Sequence, residues 1–296
     1  MVREETKRMA IADPMIDAFR SRVRTDWAGD DTAAAWQKHY AVMKEQLALV
    51  TNAIVEAAAP QPSMAVLDIA SGTGQPALSI APRVGASGAV VATDQSEGML
   101  RALRANARDE GATNVETRVC DAHDLPFPDA AFDLVTSRFG AMFFADVKRA
   151  LAEMRRVLKH GGRTVLTVWG PPAPDSVLGA VGMPIMRRLA ERPDPDGPGP
   201  MRFAESGKLA RLVEDAGFVE VTENSLTLPA PFPGSPEEFV GHVMEIATPL
   251  RNAANTLLPD DRRAAEAETY HLLRPLYDGT KTNVKAPVIT VTGVAP

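Results

Sequence analysis

The chain has 296 residues, a formal net charge of −6 and a pI of about 5.5. This length allows one α/β domain with a sizeable core and a covering subdomain. The acidic balance argues against a broad nucleic-acid surface, which needs clustered Lys and Arg. A single cysteine, Cys120, excludes a disulfide framework and a cysteine-rich metal site. With no membrane-length apolar run and no apolar signal core, we expect a cytoplasmic protein without a membrane partner.

The N-terminal part predicts a helical arm that could act as a lid over residues 1–58. Residues 1–30 are polar and show only weak helical spacing. A continuous helix is expected over 32–58, ended by Pro60, because apolar residues recur at intervals of three and four. Its apolar face consists of Trp36, Tyr40, Met43, Leu47, Val50 and Ile54.

Strands and helices then alternate, which predicts a mostly parallel sheet covered on both faces. We expect Gly161–Gly162 to close the third helix with a left-handed cap. The predicted helices cover 76–83, 96–110 and 145–158, and the predicted strands cover 64–69, 89–93, 115–120, 132–137 and 163–169.

After Trp169 the regular pattern is interrupted twice. Residues 170–200 are rich in proline and glycine and predict a long loop with one helix at 176–191. A helix at 204–216 and a strand at 219–228 follow. Residues 229–280 predict two inserted helices, the first introduced by a capping box of Ser235 and Glu238 and the second at about 259–274.

The chain ends with a predicted strand over 286–292. We therefore divide it into an N-terminal arm or lid (1–58), an α/β core (59–228 and 281–296) and an inserted helical lid (229–280) over the acceptor site.

The most informative motif is Val-Leu-Asp-Ile-Ala-Ser-Gly-Thr-Gly-Gln-Pro-Ala at residues 66–77. A buried strand, a tight turn at Gly72 and Gly74, and a helix start make a site for the polar end of a nucleotide-like ligand. Asp94 follows Gly74 by 20 residues, where an acidic side chain hydrogen-bonds ribose hydroxyls. Alone, this pattern also fits an NAD(P)-linked oxidoreductase.

Three features favour a smaller ligand than a dinucleotide. Asp68 lies inside the first strand, where dehydrogenases usually carry apolar residues. Asp121 follows the third strand, where a carboxylate can accept a hydrogen bond from an adenine amino group. The C-terminal strands suit a closing antiparallel pair at the sheet edge.

Together these motifs resemble the class I S-adenosylmethionine-dependent methyltransferases, especially the small-molecule subgroup similar to the ubiquinone/menaquinone-biosynthesis enzymes. The resemblance covers about residues 34–228 and implies a Rossmann-like, doubly wound, seven-stranded and mostly parallel sheet with a C-terminal antiparallel strand and a helical lid. The segments that carry it are Val66–Gly74, Asp94, Asp121–Ala122, Leu125–Phe127, Asp133–Arg138 and Leu158–Gly162.

The resemblance implies S-adenosylmethionine as cofactor and assigns its contacts. The segment from Asp68 to Gly74 would surround the methionine part, Asp94 the ribose, and Asp121 the adenine amino group. Ser137 and Arg138 would lie near the amino-acid end, over which Trp36 and Tyr40 either close or simply pack their helix. The implied cofactor-binding residues are Tyr40, Asp68, Ala70, Ser71, Gly72, Gly74, Gln75, Asp94, Gln95, Met99, Cys120, Asp121, Ala122, Ser137 and Arg138.

The acceptor is expected to be a hydrophobic or aromatic small molecule, methylated on oxygen or carbon, since its expected wall is aromatic: Trp36, Phe139, Phe143 and Trp169. No catalytic base stands out; the candidates are His39, His242 and His271. No His/Asp/Glu cluster has metal-ligand spacing, so we expect no metal. The alternatives are an NAD(P)-linked oxidoreductase and a non-catalytic cofactor-binding protein. A homodimer is also compatible with the sequence.

Overall fold

The computed structural model describes residues 14–296; the first part of the expected N-terminal arm, residues 1–13, lies outside them. Seven strands form one sheet in the order β3-β2-β1-β4-β5-β7-β6. Strands β1 to β5 are parallel, and β7 runs antiparallel between β5 and β6. The strands are β1 Ala65–Ile69, β2 Ala89–Asp94, β3 Val115–Val119, β4 Phe132–Arg138, β5 Leu158–Trp169, β6 Val219–Pro229 and β7 Lys285–Val294. This confirms the predicted sheet.

The central strands bury both faces because neighbouring apolar residues point to opposite sides. Val66 and Leu67 on β1 are both fully buried, each in a different apolar cluster. The Val66 side packs against α4 (Ala48–Ala58), α5 (Ala77–Val84) and α6 (Glu97–Asp109). The Leu67 side packs against α7 (Val147–Val157) and α9 (Lys208–Asp215). Helices on both faces leave the strand ends as the accessible edge.

The remaining helices cover the end of the sheet to which the parallel strands point. Their shared apolar cluster includes Val181, Phe239 and Leu273. No helix among residues 14–296 is long and apolar enough to span a membrane. The covering helices are α1 Pro14–Trp27, α2 Asp30–Lys38, α3 Tyr40–Gln46, α8 Val177–Met186, α10 Pro236–Ile246, α11 Thr248–Asn255 and α12 Pro259–Leu273.

The expectation of one continuous helix over 32–58 was wrong. The chain forms α2, α3 and α4, with bends at His39 (φ −96°, ψ 5°) and Leu47 (φ −101°, ψ 17°). Neither bend contains a Gly or Pro that would have predicted it from the sequence. Tertiary contacts hold both positions, since His39 bonds to α10 and Leu47 packs against the cluster that covers β7.

Further details differ from the sequence expectation. The helix expected at 176–191 ends already at Met186. Gly161–Gly162 does not cap α7, because Leu158 already adopts extended backbone (ψ 140°) and begins β5. The inserted lid contains three helices rather than two, since α11 follows α10 directly. Its start at Thr248-Pro249 was readable, because proline favours the first turn of a helix.

Candidate active site

One large cavity lies at the carboxyl ends of β1 to β5 under the covering helices. Its volume is about 1010 Å³, large enough for a nucleoside-sized cofactor together with a second small molecule. Loops that follow the strands form its floor, whereas α1, α2, α8, α10 and α11 contribute to its walls and roof. Both predicted lid regions therefore border the same space.

The turn between β1 and α5 has the backbone shape that its glycines predict. Gly72 and Gly74 have φ values of +51° and +129°, which residues with a Cβ rarely adopt. The Ser71 side chain stabilises the turn, because its hydroxyl donates to the Asp68 carbonyl at 2.9 Å and accepts from the Thr93 amide at 3.1 Å. These two hydrogen bonds fix the turn, whose backbone forms part of the cavity floor.

Asp94 at the end of β2 holds that turn against the next strand. Its carboxylate accepts hydrogen bonds from the Gly72 amide at 3.0 Å and the Ser96 amide at 2.9 Å. Burial raises the pKa of Asp94, and these amide hydrogen bonds counteract part of that rise. Each carboxylate oxygen can accept a further bond, and the side chain lines the cavity.

Charged and polar atoms without partners collect at the ends of β1 and β4. Asp68 is fully buried; Oδ1 accepts from the Thr136 hydroxyl at 2.6 Å, whereas Oδ2 has no partner among the described residues. Burial raises the pKa of Asp68 to about 6. Arg138 donates to the Thr51 hydroxyl at 2.8 Å, but its Nε is buried without a partner within residues 14–296. Burial lowers the pKa of Arg138 to about 10, so it remains cationic.

The loop after β3 carries a fixed carboxylate. Asp121 accepts from both the ring Nδ1 and the backbone amide of His123, and although burial opposes them these bonds lower its pKa to about 2. His123 Nε2 accepts from the Asp146 amide at 3.0 Å, so both ring nitrogens are engaged. His123 is a wall of the cavity with no free nitrogen for proton transfer. Burial raises the pKa of the adjacent Cys120 thiol to about 11, which keeps it protonated.

Aromatic side chains form one wall of the cavity. Phe139 stacks on Trp169 with ring centroids 4.1 Å apart. Trp27 on α1 contacts both Phe143 and Trp36 edge-on, at 5.0 and 5.8 Å. The Trp36 indole donates to the Ile246 carbonyl at 2.9 Å, tying α2 to α10. Trp27 was missed by the sequence reading, because nothing in α1 indicated which face meets the sheet.

The structure brings most of the expected site residues to this cavity, but not all. Asp68, Gly74 and Ser137 do not line it and support the lining residues from beneath. All four expected acceptor contacts line it: Trp36, Phe139, Phe143 and Trp169. The expected cofactor contacts that line it are Tyr40, Ala70, Ser71, Gly72, Gln75, Asp94, Gln95, Met99, Cys120, Asp121, Ala122 and Arg138.

The three candidate bases differ in their position relative to the cavity. His242 is buried on α10 and lines the cavity, while His39 stands behind it with the two Nδ1 atoms 3.0 Å apart. His271 is exposed on α12 and lies outside the cavity lining, so it is no longer a candidate. Glu245, which bonds to His39 at 2.7 Å, was missed because only the fold brings it there. No cluster of three or more potential metal ligands occurs among residues 14–296.

Gly140, two residues after the end of β4, cannot accept a side chain without disturbing the floor. A Cβ there would lie 2.5 Å from the Ser137 hydroxyl and 2.6 Å from the Ala70 Cβ. We expect Gly140→Ala to lower the free energy of unfolding by about 1–3 kcal/mol through overpacking. In the control Gly241→Ala, on α10, nothing lies within 4 Å of the new Cβ. Urea unfolding should show that variant unchanged or slightly stabilised; equal destabilisation of both would contradict the close approach.

Comparison with known proteins supports a methyltransferase site. A family model described as a methyltransferase domain matches residues 67–166, which span the strands from β1 to β5. The chain is 37% identical over 178 residues to a ubiquinone/menaquinone biosynthesis C-methyltransferase from Cupriavidus metallidurans, covering 56% of this chain and 72% of that one. It is 33% identical over 258 residues to the nocamycin O-methyltransferase of Saccharothrix syringae, covering 82% and 90% of the two chains.

Solved structures share the fold. The Bacillus subtilis YcgJ protein superposes with a TM-score of 0.53 and 21% identity, over 82% of this chain and 97% of that one. A Haemonchus contortus phosphoethanolamine N-methyltransferase 2, solved with S-adenosyl-L-methionine, gives a TM-score of 0.56 and 16% identity over 94% and 60% of the two chains.

Proposed function

Since the chain belongs to the class I S-adenosylmethionine-dependent methyltransferase family, we propose that it methylates a hydrophobic or aromatic small molecule on oxygen or carbon. The observation that carries the acceptor class is the aromatic wall of the cavity. The relatives named for C- and O-methylation agree with such an acceptor, and the O-methyltransferase alignment extends over most of both chains.

The residues present fit the cofactor. The turn at Gly72 would leave room for the methionine part, and the guanidinium of the cationic Arg138, which lines the cavity, would bind its carboxylate. Asp94 has free acceptor positions for the ribose hydroxyls, and Asp121 is a permanent acceptor for an adenine amino group. These assignments support the residue roles that the sequence resemblance implied.

The bound cofactor supplies an activated methyl group on a sulfonium, so the protein's first task is positioning. The floor fixes the donor side through the hydrogen-bonded turn, while Phe139 and Trp169 offer a flat apolar face to an acceptor ring. The roof helices would exclude water from the space between them. The inserted segment 229–280 and the arm 1–58 act in this proposal as lids.

Calorimetry with S-adenosylhomocysteine tests the cofactor site directly. We expect a dissociation constant on the order of micromolar, and no thermal shift with NADH. A second assay follows methyl transfer from S-adenosylmethionine to a panel of hydrophobic hydroxylated aromatics by mass spectrometry. Binding of NADH in place of S-adenosylhomocysteine would reject the proposal. Binding without transfer to any acceptor would favour a non-catalytic cofactor-binding protein.

A cytoplasmic location, a homodimer and the lack of a nucleic-acid partner stay predictions from the sequence. The acidic net charge of −6 supports the last of them.

A further inference from the structure

A chain of three hydrogen-bonded side chains runs from the protein surface to the cavity. Glu245 Oε2 lies 2.7 Å from His39 Nε2, and His39 Nδ1 lies 3.0 Å from His242 Nδ1. Lys38 anchors the surface end by an ion pair with Glu245 at 2.7 Å. His242, the inner member, is 3% exposed and lines the cavity. The one hydrogen bond that its ring makes within residues 14–296 is through Nδ1, which leaves Nε2 without a partner.

The geometry fixes where the protons are when the two rings are neutral. Hydrogen bonds from Lys38 and His39 lower the pKa of Glu245 to about 2, so its carboxylate only accepts. His39 therefore donates from Nε2, and its Nδ1 must accept from His242 Nδ1–H. His242 Nε2 is then left without a proton, with its lone pair free. The opposite arrangement would set two acceptors against each other at the Glu245 end.

The surroundings keep His242 neutral and hold its ring in place. Phe232 packs at a centroid distance of 5.1 Å, and the His39 ring stands edge-on at 4.5 Å. Burial and the neighbouring His39 lower the pKa of His242 to about 4. Arg251 lies near the surface end of the three side chains and donates to the Glu245 carbonyl. Phe232 also belongs to an apolar cluster with Val181 on α8 and Leu273 on α12.

We propose that His242 is the general base of the reaction, with His39 and Glu245 as its positioning residues, and that the acceptor is a phenol or enol. This inference rests on the proposed function and deepens it. The hydroxyl proton moves to Nε2 of His242, and the electron pair it leaves forms the new bond to the methyl carbon. The electrons of the old carbon–sulfur bond stay on sulfur. The charge gained by His242 is shared through His39 with Glu245.

The acceptor class follows from the type of base. A phenol with a pKa of about 10 is mostly protonated at neutral pH, and an imidazole can assist its ionisation in the transition state. A carboxylic acid would need no base, and an aliphatic alcohol is too weak an acid for one of this strength. The aromatic wall of Phe139 and Trp169 suits a planar conjugated ring.

The first test determines the tautomer of the His242 ring and does not depend on an activity assay. Nitrogen NMR of imidazole-labelled full-length protein, saturated with S-adenosylhomocysteine at about pH 8, should show His242 protonated at Nδ1 and bare at Nε2. Glu245→Gln should shift the pair toward the reverse tautomer. A wild-type His242 protonated at Nε2 would overturn the inference.

The second test uses acceptors of graded acidity. With weakly acidic phenols, His242→Gln should lower kcat by about 100-fold. With nitrophenols that are already ionised at about pH 8, the same substitution should lower kcat only slightly. Wild-type kcat should fall in acid as His242 takes up a proton, at a pKa below that of a free imidazole. The exposed His271→Gln is the matched control.

The outcomes separate this inference from the proposed function. Failure to bind S-adenosylhomocysteine would reject both. Normal cofactor binding with no methylation of any phenol or enol would overturn the acceptor class alone. An equal loss with weakly acidic and pre-ionised acceptors would overturn the role of His242 as a base and leave only packing.

Discussion

Replacing Asp94 by alanine should weaken S-adenosylhomocysteine binding by roughly 10²- to 10⁴-fold, since two hydrogen bonds to a charged carboxylate, each about 1.5–3 kcal/mol, are lost. The same carboxylate also holds the amides of Gly72 and Ser96. Part of the loss could therefore come from a loosened turn rather than from missing ribose contacts. Calorimetry with the variant alone cannot separate these two causes.

A cofactor product that lacks the 2′ and 3′ hydroxyls separates them. The wild type should bind it far more weakly than S-adenosylhomocysteine, whereas Asp94→Ala should bind both about equally. Asp109→Ala, an exposed carboxylate at the end of α6, is the matched control and should behave as the wild type. A variant that keeps the full preference for the hydroxylated ligand would show that Asp94 does not contact the ribose.

The floor of the site was predictable because it is local in sequence. Gly72 and Gly74 need positive φ, and Asp94 and Asp121 follow β2 and β3, so one passage along the chain places them at one sheet edge. Parallel strands with crossover helices leave few other arrangements. The boundaries of the helices and strands depended on tertiary contacts instead. For example, α7 ends before Leu158 because the Leu158 backbone pairs with Phe132 on β4.

The roof was not predictable in the same way. His39 and His242 are 203 residues apart in the sequence, and neither has a motif around it. Their meeting depends on the bend at His39, which has no Gly or Pro, and on α10 lying across α2. Periodicity showed that both segments are helical with one apolar face. It could not show which polar residues at the edge of each face would pair.

Asp68 gives the second large expected effect, this time on stability. Its carboxyl pKa rises from 3.8 to about 6 on folding, mainly through burial. The folded state therefore binds more protons than the unfolded state between these two values. A stabilising contribution that is present below about pH 4 is lost as the pH rises through about 6, at a cost of about 3 kcal/mol. Ionised Asp68 therefore destabilises the folded protein at neutral pH, even with Arg138 and Thr136 beside it.

Asp68→Asn should remove this cost while keeping the shape and an oxygen for the Thr136 hydroxyl. We expect the variant to be more stable than the wild type by about 3 kcal/mol at pH 8, with the difference shrinking toward zero near pH 4. Urea unfolding across this range measures it, with Asp109→Asn as control. Comparing variant with wild type at each pH cancels the contributions of the other carboxylates, whether folding raises their pKa, as for Asp94, or lowers it, as for Asp121. If Asp68→Asn were less stable at pH 8, the Arg138 and Thr136 contacts would outweigh the burial of the charge. The natural aspartate would then serve stability as well as the site, since its carboxylate lies directly beneath the turn that would hold the methyl donor.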